Sequence, residues 1–441
     1  MSRPHPLNLL RTLGFSAPSA PIGALALALP VFVPHFYAAH LGLSLAVVGM
    51  TFTLVRLADL PFDPLIGLMV DRTRWRLGRY RTWMALGLIP YLAAIHQLFL
   101  PPDHAGYAYL AAWLVVYYLG VSCLLLTHMA WASALACDYD ARSRLFGWIQ
   151  ILGVAGACGI LAARDVAAMG WMLMAAGPLV TACAWLSAPE PPPVSPAGRE
   201  RLGLGDLGRL LRRPDLARIL GADFCLQMGP NWMAALYLFY FHDLRGFSAG
   251  QSHLLLLVYV ASGLAGAPAL SWLAVRLGKH QTLMASSTGF SLGLIGLTLL
   301  PQANLWAAAP FMFVMGFLAI SFVILGRAML ADASDAVRLE DGEDRAGLLY
   351  ALLSTEQKIA GAVSIGLTFL ALSVLGYDAH EGAHNSAQAV SGLAWTFLLG
   401  PVVFVMLGGA CYLGYRLDAR RHAEIRAALA LRDQAAAGAA V

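Results

Sequence analysis

Charged residues are scarce in this 441-residue sequence, where Asp, Glu, Lys and Arg together make up 12% of the positions. Ordinary soluble domains carry roughly 25%, so the composition excludes a cytosolic enzyme, a secreted disulfide-rich scaffold and a disordered tail. Hydrophobic residues make up 59% instead. The net charge of +4 is too small to indicate a nucleic-acid partner, and we expect none.

The sequence also lacks the motifs of enzymes and of metal sites. Its six cysteines show no CxxC pair or ligand spacing, and no phosphate-binding loop, zinc spacing or nucleotide fingerprint occurs. The stretch 246–250 matches the hydrolase pattern G-x-S-x-G, but it opens an apolar segment and does not end a strand. We therefore predict that the protein is not an enzyme and holds no cofactor or metal.

What the sequence does contain is a series of apolar runs of span length, about 20 residues each. They predict an all-α polytopic membrane protein with twelve transmembrane helices, and the first run lacks the cleavage site of a removable signal. The predicted spans are 18–40, 44–70, 82–100, 106–135, 145–163, 167–187, 216–242, 249–275, 281–300, 304–330, 346–374 and 390–415.

A Pro-rich and then Arg-rich stretch, 188–215, separates the two groups of six and is typical of a solvated linker. The predicted parts are thus a first six-helix bundle (1–187), this linker, a second bundle (216–415) and a tail (416–441). Of the 29 lysines and arginines, 25 lie in the termini, in the linker and the loops of one side, or in the span ends that flank them. The positive-inside rule therefore predicts a multi-pass protein of the inner cell membrane with both termini in the cytoplasm.

Two short strings recur at equivalent places in the halves. Arg-Leu-Gly-Arg at 76–79 recurs as Arg-Leu-Gly-Lys at 276–279, each between the second and third span of its half. A looser echo relates 134–138 to 329–332, where the fourth span of each half ends. Two parallel six-helix halves form the arrangement in which a central site opens alternately to each side of the membrane.

Three charged residues lie near the middle of the second predicted span. Arg56, Asp59 and Asp63 are spaced by three and four, which places them on one face of a continuous helix. Each mid-membrane charge costs about 2.5–3.5 kcal/mol, while each Leu or Val returns roughly 0.3–0.6. These side chains must therefore face partners, water or ions. Lys358 on the eleventh span is the natural cationic partner, and a purely structural charge network is the alternative.

The sequence beside these charges resembles a known family. The strings Asp-Pro-Leu-Ile-Gly at 63–67, Asp-Arg-Thr-Arg at 71–74 and Leu-Gly-Arg-Tyr-Arg at 77–81 are similar to the signature of the glycoside-pentoside-hexuronide:cation symporter family. That family is a branch of the major facilitator superfamily. The resemblance implies the superfamily's fold and cation-coupled symport of a small polar solute, a carbohydrate or glycoside, by alternating access. It also implies that the acids of the second span hold the coupling cation and that the lysine of the eleventh span pairs with them.

Several sugar- and sodium-binding groups of that family have no counterpart in this sequence. Stretches 17–29 and 104–137 contain no acid where the family has one, and Gln150 stands at an arginine position. Two acids are few for a sodium site that takes roughly six oxygens, whereas a proton needs one titratable carboxylate. We therefore expect H⁺ rather than Na⁺ as the coupling ion.

Other polar residues provide candidates for substrate binding. A polar stripe on the seventh span consists of Asp223, Gln227 and Asn231, with Trp232 beside it. The stripe could supply hydrogen bonds to a substrate, and the tryptophan an aromatic platform. The alternative is that these side chains bond neighbouring helices to one another. The remaining candidates lie on the fourth and fifth spans: His128, which is either a proton relay or a packing residue, Trp131 and Gln150.

A predicted cytoplasmic gate follows the second span. Arginines there can bond carboxylates and the last carbonyls of neighbouring helices, although membrane topology alone also favours positive charge in that loop. The gate residues are Asp71, Arg72, Arg74 and Arg79.

Two alternatives to sugar symport stay open. The wholly apolar segment 24–33 is compatible with a lipid-like or amphipathic solute. A membrane sensor that keeps the fold without transport would need an output domain, for which the tail is too short. The expected partners are a small-molecule substrate and membrane lipid, and we expect the monomer to be functional.

Overall fold

A computed structural model of the protein describes residues 8–135, 139–190, 213–341, 345–380, 382–415, 417 and 419–439. These residues form helices joined by short loops, and no strand occurs among them. The helices are α1 (Leu9–Ser16), α2 (Ser19–Ala39), α3 (Leu45–Asp59), α4 (Phe62–Arg72), α5 (Arg79–Phe99), α6 (Tyr107–Leu135), α7 (Tyr139–Ile160), α8 (Val166–Ser187), α9 (Pro214–Leu238), a π-helical segment (Phe239–Leu244), α10 (Ala249–Leu277), α11 (Lys279–Thr298), α12 (Leu305–Asp341), α13 (Ala346–Val374), α14 (Ala387–Ala410) and α15 (Ala419–Ala439).

Nine helical stretches in the described part of the chain are long and apolar enough to cross a membrane. They account for nine of the twelve predicted spans, with α1 and α2 together forming the first stretch and α3 and α4 the second. The other three predicted spans, 145–163, 216–242 and 281–300, fall on α7, α9 and α11. Every predicted span therefore coincides with helical structure.

The second predicted span is found as the stretch Leu45–Val70, but it is not the one continuous helix that the sequence predicted. α3 ends at Asp59 and α4 begins at Phe62. Pro61 lacks the N–H that would bond the Leu57 carbonyl, and its ring crowds that oxygen. The Leu60 N–H donates to the Leu57 carbonyl oxygen instead, at 3.3 Å. The break thus separates the two acids of this span.

The tenth predicted span, 304–330, is shorter than the helix observed. α12 continues to Asp341 and so includes residues that the sequence predicted as a loop. Charges stabilise this extension: Arg213 donates to Glu340 at 2.6 Å and also pairs with Asp341. The tail, expected only as a cytoplasmic extension, forms α15, which packs along α12.

Backbone contacts divide the chain into two compact units. Unit 1 comprises Met1–Ala197, Ala234–Leu257 and Ile365–Leu393, and unit 2 comprises Gly198–Met233, Val258–Ser364 and Ala394–Val441. Within unit 1, α2 packs on α7 and α5 packs on α6; within unit 2, α11 packs on α12. The division into bundles on either side of the linker stays a prediction.

Glycines bring α2 and α7 unusually close together in unit 1. A Cβ atom on Gly156 would lie 1.9 Å from the carbonyl oxygen of Ala20, and one on Gly23 would lie 2.0 Å from that of Gly153. Small residues at membrane helix interfaces permit such close backbone approach. The packing of this helix pair therefore depends on the absence of side chains at these positions.

The repeated string folds alike in both halves. Gly78 precedes α5 with φ of +92°, and Gly278 precedes α11 with φ of +100°. Glycine reaches this region of φ without the steric cost that a Cβ atom imposes. The repeat therefore marks the same turn before the third predicted span of each half.

Candidate functional site

A buried ion pair ends the first helix of the second predicted span. Asp59 is only 1% exposed, and the Arg56 guanidinium donates to its Oδ2 at 3.1 Å. The guanidinium carbon also lies 4.5 Å from the ring centre of Tyr118 on α6. The electron-rich ring face attracts the cation, so Tyr118 and Asp59 together hold Arg56 in place.

Asp63 lies on the other side of the helix break, in the first turn of α4, and is half-buried. The positive end of the helix dipole favours a negative charge there. Breaks of this kind in transporter helices present backbone and side-chain groups to ions near the middle of the membrane. The arrangement thus places one acid at the end of a half-helix and the other at the start of the next.

Lys358, the predicted partner of these acids, lies half-buried on α13. It belongs to unit 2, whereas both aspartates belong to unit 1. Its pairing with them stays a prediction.

The polar stripe on the seventh predicted span lies on α9, and all three of its members take part in hydrogen bonds. Asp223 is 1% exposed, and its Oδ2 accepts a hydrogen bond from the Gln357 amide on α13 at 3.0 Å. The Asn231 amide donates to the carbonyl oxygen of Gln227 one turn earlier, at 2.9 Å. Substrate binding by this stripe stays a prediction.

Trp232 packs between helices of unit 2. Its indole N–H donates to the Thr396 carbonyl oxygen on α14 at 3.0 Å. A Cβ atom on Gly400 would lie 2.3 Å from the indole ring. The indole therefore lies directly against the backbone of α14, as the interhelical alternative expects.

His128 and Trp131 on α6 are fully buried in unit 1. A His128 ring nitrogen lies 2.8 Å from the Phe15 carbonyl oxygen, and the Trp131 indole N–H donates to the Pro189 carbonyl oxygen at 3.1 Å. These contacts favour packing over proton relay for the histidine. Gln150, the third candidate outside the stripe, is exposed on α7.

Of the predicted gate residues, Arg72 and Arg74 are exposed, and the Asp71 side chain lies outside the described part of the chain. Arg79 at the start of α5 donates to the hydroxyl of Tyr80 at 2.6 Å. The gate stays a prediction.

Sequence reasoning missed a network at the start of α5. The Glu190 carboxylate accepts hydrogen bonds from the backbone N–H groups of Tyr80 at 2.8 Å and Arg81 at 3.4 Å. The Arg81 guanidinium donates to the carbonyl oxygens of Trp185 and Ala188, each at 2.8 Å. A carboxylate at a helix N-terminus satisfies donors that lack partners within the helix. The network thus ties the end of α8 to the start of α5, although more than 100 residues separate them.

The second half carries an ion pair within the repeated elements. Lys279, the counterpart of Arg79, lies 2.6 Å from Oδ2 and 2.8 Å from Oδ1 of Asp332. Asp332 belongs to the looser echo, and its first-half counterpart, Asp138, lies outside the described residues. The pair joins α11 to α12 where the sequence repeat places both partners.

Removing this lysine is expected to destabilise unit 2. In Lys279→Ala the buried Asp332 loses its lysine partner and keeps only the longer contact with His422 Nε2, at 3.6 Å, which costs about 1–3 kcal/mol. Thermal unfolding in detergent measures the effect. Lys279→Arg serves as the control that keeps the charge, and the double variant Lys279→Ala/Asp332→Asn should recover part of the loss. Equal melting temperatures for Lys279→Ala and the unmodified protein would contradict the assignment.

A second ionic cluster links α2 to the π-helical segment in unit 1. His35 Nε2 lies 3.2 Å from one Asp243 oxygen, and His242 Nδ1 lies 2.7 Å from the other. Asp243 follows the seventh predicted span. Burial raises the pKa of its carboxyl, but hydrogen bonds from both histidines outweigh burial and leave the pKa below its ordinary value. The carboxylate is therefore ionised at neutral pH and holds these two helix ends together.

Apolar helices of span length, with buried charges at a helix break, are typical of a multi-pass membrane protein with a polar pathway through it. The model of the family described as MFS/sugar transport protein matches residues 14–419. The chain belongs to this family. The predicted fold of the major facilitator superfamily and the resemblance to its glycoside/cation symporter branch are confirmed, and the chain is a transporter rather than an enzyme.

Relatives of similar length support the assignment. The isoprimeverose transporter of Lactiplantibacillus pentosus is 25% identical over 422 residues, which cover 88% of this chain and 84% of the relative. The inner membrane symporter YicJ of Escherichia coli (strain K12) is 23% identical, covering 89% and 86%. Among solved structures, the nucleoside transporter NupG matches with a TM-score of 0.68 at 14% identity, over 92% of this chain and 98% of NupG. That likeness shows the fold alone.

Proposed function

We propose that this protein is a secondary active symporter that moves a sugar or glycoside together with a proton by alternating access. The observation that carries the proposal is the buried Asp59, held by Arg56 at 3.1 Å beside a break in a membrane helix. A charge in that position is costly, so its presence in a transporter of the sugar family supports a role in coupling.

The proton is favoured over sodium by the composition of the site. Asp59 and Asp63 are the acids of this span, and a sodium ion takes roughly six oxygens. A single carboxylate that binds and releases H⁺ is enough for proton coupling. Arg56 pairs with Asp59 at 3.1 Å, and Lys358 competes with the cation in the same proposal.

The names of the relatives suggest the class of substrate. One relative is an isoprimeverose transporter and another a lactose permease, so we propose a small glycoside. The surplus of basic residues in the linker and alternate loops supports cytoplasmic termini. We further propose that the protein acts as a monomer in the inner cell membrane.

Uptake into proteoliposomes tests the proposal. The purified protein is reconstituted, and labelled isoprimeverose or lactose is offered under an inward proton gradient without sodium, or an inward sodium gradient without a proton gradient. We expect accumulation under the proton gradient and its loss with a protonophore. Accumulation driven by sodium alone would overturn the coupling ion. Absence of sugar accumulation under either gradient would overturn sugar symport.

A further inference from the structure

Two buried carboxyl groups meet in unit 2, on helices other than those of Asp59 and Asp63. Asp223 on α9 is 1% exposed, and the carboxyl group of Glu356 on α13 lies within hydrogen-bonding contact of it. Both Glu356 oxygens and Asp223 Oδ1 are buried, and no donor among the described residues reaches them. The pair is therefore enclosed by protein and poor in hydrogen-bond donors.

The surroundings supply little compensation for two negative charges. The Gln357 amide donates to Asp223 Oδ2 at 3.0 Å, and the buried Oδ1 is left without a donor among the described residues. Gln227 hydrogen-bonds to Asp223, and the Arg327 guanidinium of α12 attracts it. Gly326 precedes that arginine, and a Cβ atom there would lie 2.6 Å from Oδ1. The backbone of α12 thus closes one side of the pair.

A further polar group, the hydroxyl of Tyr412, lies near the pair, just after the end of α14. The Tyr412 side chain is 1% exposed, and its hydroxyl has no hydrogen-bond partner within the described chain. The charges of Asp223 and Glu356 act on it. Cys225 lies in the same surroundings, since Glu356 and Cys411 both act on it. Apart from Arg327, these neighbours carry no positive charge.

Two carboxylates can only accept hydrogen bonds, so they repel each other in direct contact. A carboxylic acid facing a carboxylate forms a strong bond, because the acid supplies the missing donor. One proton supplies the donor that the two groups lack, and no other ligand is needed.

We propose that Asp223 and Glu356 form a proton-binding site, in which one proton is shared between the two carboxyl groups at neutral pH. The site takes up H⁺ by converting a carboxylate to a carboxylic acid, and it loses that proton when the pair separates. A role of this proton in transport rests on the proposed function, whereas its presence does not.

Infrared spectroscopy of the full-length protein in lipid, without substrate, tests the site. The protonated carboxyl group has a C=O stretching band that is distinct from the carboxylate bands. We expect this band at pH 7 in the unmodified protein and its loss, by the intensity of one carboxyl group, in Glu356→Gln. Glutamine keeps the shape of the side chain, and its amide donates the hydrogen bond that the proton supplied.

Two further variants make the result decisive. Glu340→Gln makes the same chemical change at the exposed ion pair with Arg213 and should leave the band unchanged. Asp223→Asn provides the donor from the other side and replaces Glu356→Gln if that variant fails to fold. Loss of the band in either folded variant supports the proposal. A missing band in the unmodified protein, or its full persistence in every folded variant, would overturn it, even if proton-coupled uptake were intact.

Discussion

An Asp59→Asn variant is expected to lose sugar accumulation against a concentration gradient, by at least about tenfold, equivalent to roughly 1.4 kcal/mol. Asparagine keeps the size of the side chain and can still contact Arg56, but it cannot bind and release a proton. Exchange of labelled for unlabelled sugar across the membrane requires no net proton movement, so it should persist. Parallel measurements of accumulation and exchange in proteoliposomes separate the two effects.

The control for this variant is Asp103→Asn. Asp103 lies exposed in the loop between α5 and α6, so the same chemical change there should leave accumulation unaltered. Full accumulation by Asp59→Asn would contradict a coupling role. Loss of both accumulation and exchange, with a lowered melting temperature, would instead assign Asp59 to the structural charge network that the sequence leaves open.

A Gly156→Leu variant is expected to yield no folded protein. Even the Cβ atom of the new side chain would lie 1.9 Å from the Ala20 carbonyl oxygen, and a backbone carbonyl cannot rotate away as a flexible side chain can. Overpacking typically costs about 1–3 kcal/mol where neighbours can move. Here α2 and α7 must separate along their contact, so we expect a larger loss. Size-exclusion chromatography of the detergent-solubilised protein measures the folded fraction.

Gly159→Leu provides a matched control on the same helix. Gly159 lies one turn further along α7, and among the described residues no atom outside the backbone of α7 and the two adjacent residues lies within 4 Å of a Cβ atom built there. This variant should elute as the unmodified protein does. Equal behaviour of the two variants, whether both fold or both aggregate, would show that helix approach at Gly156 does not limit folding.

The sequence predicts the fold well because the membrane simplifies the physics. A helix is one of the few structures that satisfy every backbone group in lipid, so apolar runs of span length locate the helices directly. The repeat at 76–79 and 276–279 even locates equivalent turns, where Gly78 and Gly278 share positive φ. An apolar run does not show whether the helix is continuous. The break after Asp59 follows from Pro61, and a hydropathy average over a whole span does not register a single proline.

The contacts of the candidate site are less accessible to sequence reasoning. Asp59 and Arg56 are three residues apart, and their pairing follows from helical spacing. Asp223 and Gln357 are 134 positions apart, and nothing local in the sequence indicates that they meet. Glu190 likewise caps a helix more than 100 residues earlier. Such pairs depend on which helices become neighbours, and an apolar pattern shared by all the spans does not encode that.

Sugar-induced proton movement tests the central claim most directly. Proteoliposomes containing a pH-sensitive dye are prepared without any ion gradient, and sugar is then added outside. If Asp59 couples sugar to H⁺, the lumen of vesicles with the unmodified protein acidifies as sugar enters, and Asp59→Asn abolishes the acidification. Sugar entry without acidification, or equal acidification in both proteins, would contradict the account.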